Sequence, residues 1–114
     1  MTLAEIVRQL NLTLLTESAN FDDITPSAGY ASDMLSCVMT GASRQGLWIT
    51  LQAHTNIVAV AALLDLAAVI ITEGAMPDPG VIEKANEKGV VLLATPLPTF
   101  TVVGKLWALG LRAE

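Results

Sequence analysis

Histidine occurs once in this chain, at position 54, and cysteine once, at position 37. With the carboxylates Asp33 and Glu73 they are the side chains best suited to proton transfer, nucleophilic attack or metal binding. An imidazole titrates near neutrality, so His54 can act as an acid/base if Asp33 or Glu73 orients it or the substrate. Cys37 lies among Leu35, Val38 and Met39 in a helical pattern, where a thiol is usually inert, and this argues against a Cys37–His54 nucleophile pair. Asp33, His54 and Glu73 do not have the spacing of a dedicated metal-ligand set. Neither a metal nor a cofactor is expected.

Other motifs fail on context. Gly41-Ala42-Ser43-Arg44-Gln45-Gly46 has the glycine spacing of a phosphate-binding loop. It runs into Leu47-Trp48 instead of Lys and Ser/Thr, and into a strand instead of a helix. There is no serine elbow and no second histidine. No phosphoryl-transfer machinery is readable.

The elements that must position these residues centre on Gly46 to Gly74. Leu47 to Leu51 reads as a buried strand. His54-Thr55-Asn56 supplies helix-capping side chains, Ile57 to Asp65 a helix, and Leu66 to Thr72 a strand covered on both faces. A membrane span is the rival reading of this apolar stretch. It is shorter than the roughly 20 residues a span needs, contains Asp65, and has no flanking basic cluster.

Before this unit, Thr2 to Leu10 fits a helix with Thr2 and Glu5 as a capping box. Leu12 to Thr16 reads as a first strand, Glu17 to Asp23 as a polar connection, and Ile24 to Tyr30 as an edge segment or loop containing Pro26. Ala31-Ser32-Asp33 is expected to open a second helix that stops at Gly41. After the unit come a helix from Asp78 or Pro79 to Gly89, a strand Val90 to Ala94, the rigid turn Thr95 to Pro98, and a last helix capped by Thr99. The fold class is therefore α/β: a layered, mostly parallel sheet flanked by helices and built from βαβ units. A single domain over residues 1–114 is expected.

Apolar residues make up 53% and charged residues 15% of the 114 residues, with a net charge of −5. Few charges for so much apolar surface points to burial in a homo-oligomer, a dimer being the simplest. The acidic balance and absence of a basic stripe argue against nucleic acid. The start lacks a signal peptide pattern, and a cytoplasmic protein without membrane attachment is expected.

Ligands of an open parallel sheet bind beyond the carboxyl ends of its strands. The turns expected there contain Ser32 and Asp33; His54, Thr55 and Asn56; Thr72, Glu73 and Gly74; and Thr95 and Thr99. These are the candidate ligand-binding residues. Helix starts gathered at one edge favour a small anion, although capping alone also accounts for Ser32, Asp33, Thr55, Asn56 and Thr99. None of these residues is assigned a catalytic role.

Four segments carry a family resemblance: Gly29-Tyr30-Ala31-Ser32-Asp33-Met34-Leu35-Ser36, Trp48-Ile49-Thr50-Leu51-Gln52-Ala53-His54, Ile70-Ile71-Thr72-Glu73-Gly74, and Leu93-Ala94-Thr95-Pro96-Leu97-Pro98-Thr99-Phe100. From Ile24 onward the chain resembles DRTGG domains, in particular the small stand-alone ones. The Thr-Gly-Gly part of the family signature stands here as Thr72-Glu73-Gly74, and the Asp-Arg part is replaced around Ala53-His54. Relatives of such domains sit beside CBS domains in regulated pyrophosphatases and inside large phosphate acetyltransferases. They are also similar to the N-terminal domain of the kinase that acts on the phosphocarrier protein of sugar transport, whose catalytic half has no counterpart here.

The resemblance implies an accessory, dimer-forming or regulatory module of undefined activity, and the low charge content and polar turns at one sheet edge add the first reading, a non-catalytic regulatory, ligand-sensing or dimerisation module that binds a small anionic metabolite or nucleotide. Stand-alone members tend to be encoded near iron hydrogenase or electron-transfer genes, so the resemblance also implies a second reading, an accessory or assembly protein for a hydrogenase or electron-transfer complex. A small enzyme using His54 as acid/base is the third.

Overall fold

The computed structural model describes residues 1–17 and 21–113. Ser18, Ala19 and Asn20 of the expected polar connection, and Glu114 of the tail, lie outside the described residues. The strands are β1 (Thr13–Leu14), β2 (Gly29–Ala31), β3 (Leu47–Thr50), β4 (Ala68–Ile71) and β5 (Leu92–Ala94). The helices are α1 (Leu3–Leu10), α2 (Leu35–Gly41), α3 (Asn56–Leu64), α4 (Pro79–Lys88) and α5 (Thr99–Ala108). The sheet order is β1-β5-β4-β3-β2, with β1 antiparallel to β5 and the other neighbours parallel. This is the expected mostly parallel, layered α/β architecture.

Strand side chains alternate between two faces, and the register turns that alternation into two cores. Ile49 lies opposite Ile70, and Ile70 opposite Leu93, on the face packed by Leu3, Ile6 and Leu10 of α1 and Val102 and Leu106 of α5. Trp48 lies opposite Val69, and Val69 opposite Leu92, on the face packed by Val38 of α2, Ile57, Val58 and Ala61 of α3, and Val81 and Ala85 of α4. Strands buried on both faces need the near-continuous apolar runs seen in the sequence.

Local chemistry sets the element ends. Thr2 caps α1, and the N–H and hydroxyl of Thr2 both donate to Glu5 Oε1. Those hydrogen bonds hold the Glu5 carboxyl below its ordinary value. Pro79 occupies the first turn of α4, where no backbone donor is needed, and Gly89 ends it in the left-handed region at φ 71°. Asp65 ends α3 in the same conformation, at φ 53°. Its carboxylate takes the Arg44 guanidinium at 2.9 Å. No helix among the described residues is long and apolar enough to cross a membrane.

Two expected boundaries are corrected. The first strand is two residues long: beyond Leu14 the Leu15 N–H still reaches Leu92 O, but the Leu92 N–H then goes to the Thr16 hydroxyl. A side chain has replaced the backbone rung, and the ladder stops. The second helix begins at Leu35, not at Ala31-Ser32-Asp33, because Ala31 pairs with Ile49 in the sheet. Gly46 is needed for packing: a Cβ there would lie 2.8 Å from Ser43 O and 3.2 Å from Ala28 O. That crowding at the start of β3 accounts for one glycine of the loop-like spacing without any phosphate.

Candidate functional site: the carboxyl edge of the sheet

β2, β3, β4 and β5 all end at one edge, and the turns that follow them carry the candidate residues. The edge is held by a continuous chain of hydrogen bonds. Asp33, past the end of β2, accepts the Thr50 hydroxyl at 2.7 Å and the Leu51 N–H at 2.9 Å through one carboxylate oxygen. The Thr50 hydroxyl in turn accepts the Gln52 N–H, while the Gln52 side-chain amide donates to Asp33 O at 2.6 Å. Thr72 donates to Thr50 O at 3.3 Å and shares a 2.6 Å hydrogen bond with the Thr99 hydroxyl. Glu73 completes the chain by accepting the Thr99 N–H at 2.7 Å.

Thr50 and Thr72 are fully buried and Thr95 nearly so. A buried hydroxyl left unpaired costs about 1–3 kcal/mol. No buried side-chain N or O among the described residues lacks a partner. The Thr95 hydroxyl accepts the Leu97 N–H, and the Thr95 carbonyl accepts the Gly74 N–H. Thr72 to Ala75 forms a tight turn, closed by the Ala75 N–H on Thr72 O. Its two central residues, Glu73 and Gly74, both lie in the left-handed region, at φ 61° and 74°.

The capping roles expected from the sequence are redistributed. Ser32 does not cap α2; its hydroxyl accepts the Met34 N–H at 3.1 Å and its carbonyl accepts the indole N–H of buried Trp48 at 2.8 Å. Asp33 caps the end of β3 instead of a helix. Thr99 is the first residue of α5, not its cap; Pro98 holds that place, and the capping carboxylate comes from Glu73. Thr55 holds the N-cap position of α3 but makes no side-chain capping bond. The Asn56 N–H is taken by Nδ1 of His54 at 3.3 Å.

The structure thus joins Asp33, Thr72, Glu73 and Thr99 in one network and leaves His54, Thr55 and Asn56 out of it. Among the described residues, no hydrogen bond links His54 to Asp33 or Glu73. His54 instead borders a shallow pocket of about 260 Å³ with Met76 and Asp78. No three His, Cys, Asp or Glu side chains among the described residues gather to hold a metal. Sequence reasoning missed Thr50 and gave Gln52 no role. The available signal was a hydroxyl residue closing an otherwise apolar strand.

The fold and its edge define an α/β domain with a mostly parallel sheet whose strand ends are tied together by threonine hydroxyls and two carboxylates. The chain belongs to the DRTGG domain family, whose model matches residues 5–109. It is also similar to a solved structure of the CBS and DRTGG domains of the regulatory region of Clostridium perfringens pyrophosphatase, complexed with the activator diadenosine tetraphosphate. That likeness has a TM-score of 0.75 at 20% identity and covers 90% of this chain but 44% of the other, so this chain spans less than half of that neighbour's length. At that identity the fold is what the two share. No match is found among the curated proteins.

Proposed function

We propose that this protein is a non-catalytic regulatory module that self-associates and binds a small anionic metabolite or nucleotide at the carboxyl edge of its sheet. The observation that carries this reading is the fold match over 90% of the chain to a regulatory region solved with a nucleotide activator. Two features of the molecule support it. The network from Asp33 to Glu73 has its reactive groups engaged with one another, an arrangement suited to holding strand ends rather than to turnover. At the α3 end of the same edge, the side chains of Thr55 and Asn56 make no hydrogen bond among the described residues and are available to a ligand.

Self-association is supported by the outer face of α5. Phe100 is 90% exposed, Trp107 56% and Val103 37%, at positions that recur along one side of the helix. A row of this kind gains by covering itself.

The reading is tested by thermal melting with a panel of nucleotides, acyl phosphates and divalent metals, on the wild type and on His54→Ala. A ligand that binds only the folded state raises the melting temperature as its concentration exceeds its dissociation constant. At least one anionic member is expected to do so in a saturable way. A flat response to the whole panel contradicts the sensing role. A shift lost in His54→Ala places the ligand at that end of the edge, and a shift retained there moves it away from the imidazole.

A further inference from the structure

We infer that the groove between α3 and α4 is the seat of the ligand, and that it takes a phosphorylated small molecule with an apolar or aromatic body. This inference rests on the ligand-sensing reading above and locates its site. The groove encloses about 320 Å³ and is lined by Thr55, Asn56, Ala59 and Ala62 of the α3 side and by Lys84 and Lys88 of α4, with buried Val58 below. That volume is at the lower end of the range for small-molecule sites.

Two cations meet in this groove, with Glu83 and Glu87 beside them on α4, whereas Arg8 and Lys105, likewise without a partner among the described residues, stand on α1 and α5. The chain carries a net charge of −5 with six Lys and Arg residues. Arg44 is paired with Asp65, and Arg112 is spent on the Trp107 ring and on the carbonyls of Trp107 and Leu111. Lys84 and Lys88 form no hydrogen bond or ion pair with any described residue, and both line the same cavity. One helical turn apart, their Cβ atoms stand about 5–6 Å from each other, a span from which two ammonium groups reach oxygens of a single phosphate. Thr55 and Asn56 line the same cavity and likewise make no side-chain hydrogen bond among the described residues. Elsewhere along the edge the positions suited to an anion hold the protein's own carboxylates, Asp33 on the Leu51 N–H and Glu73 on the Thr99 N–H. A phosphate approaching there meets like charge.

The groove assigns a place to the other half of the ligand. Ala59 and Ala62 leave depth where larger side chains would fill it, and Val58 supplies an apolar floor. A phosphate without a body uses only the lysines, and a body without phosphate uses only the floor. Both are expected to bind more weakly than the joined molecule.

The test is calorimetric titration of the intact protein with ATP, AMP, acetyl phosphate, inorganic phosphate and adenosine. Wild type should bind a nucleotide more tightly than phosphate or adenosine. The double variant Lys84→Gln/Lys88→Gln should weaken binding by about tenfold or more, the loss of charge-assisted contacts. Ala62→Phe, which fills the groove and keeps both charges, should weaken it as well. Arg8→Gln/Lys105→Gln removes the same charge elsewhere and should leave affinity within about twofold, since exposed charges at a distance are screened. Undiminished binding by the Lys84/Lys88 variant, or an equal loss in the Arg8/Lys105 control, overturns this site while leaving the sensing role standing. If none of the five compounds binds the wild type, this site and the sensing role fall together.

Discussion

Glu73 occupies the left-handed region at φ 61°, where a residue with a Cβ is strained by roughly 1–2 kcal/mol. A glycine at this position would avoid that cost. The return is the carboxylate placed 2.7 Å from the Thr99 N–H at the start of α5, a capping contact worth about 1 kcal/mol. Glu73→Ala keeps the strain and loses the cap, and should lower stability in urea unfolding by about 1 kcal/mol. Glu73→Gly loses the cap but relieves the strain, and should come within about 0.5 kcal/mol of wild type. Equal stability of the Ala variant and wild type would show that the carboxylate does no capping. At this scale residue types were legible and partners were not. Asp33 and Thr99 are types that cap helices, and nothing in their neighbours says that Asp33 instead reaches Thr50, seventeen positions away. Thr72 and Thr99 meet across twenty-seven positions, a pairing that exists only once β4 and α5 are docked.

The helices α1 and α4 were more legible than strand ends, because each carries its own start or stop signal. Thr2 with Glu5, Pro79 and Gly89 each act where local chemistry places them. A strand ends where its neighbour stops pairing, as β1 does at the Thr16 hydroxyl, and that is decided by residues far along the chain. α5 shows the same limit from another side. Val102 and Leu106 face the core, whereas Phe100, Val103 and Trp107, which also read as members of an apolar helix, face outward. The Arg112 guanidinium lies 3.9 Å over the Trp107 ring and shields part of it. If this row is the surface through which copies associate, Phe100→Ser/Trp107→Ser should shift sedimentation toward the monomer without lowering the melting temperature of the isolated fold. A wild type that sediments as a monomer at all concentrations, or a variant as associated as wild type, removes α5 from that role.

Across the whole molecule, composition anticipated more than any motif did. Continuous apolar runs between short polar turns correctly implied a sheet covered on both faces, and the two separate core clusters are the result. The function was less legible because no turn carries a complete reactive set. What the fold adds is contrast: one end of the sheet edge is closed on itself by Asp33, the threonines and Glu73, while the groove beside α3 keeps two lysines, a threonine and an asparagine unengaged among the described residues. Lys84 and Lys88 share that cavity, and on the reading proposed above it receives an anion there and leaves it unchanged. Phosphorus NMR of ATP mixed with the wild-type protein tests that claim most directly. The account predicts phosphate resonances that shift or broaden saturably with added protein and no new phosphorus species over prolonged incubation. An ATP spectrum indifferent to the protein, or the appearance of free phosphate or a transferred phosphoryl group, would contradict it.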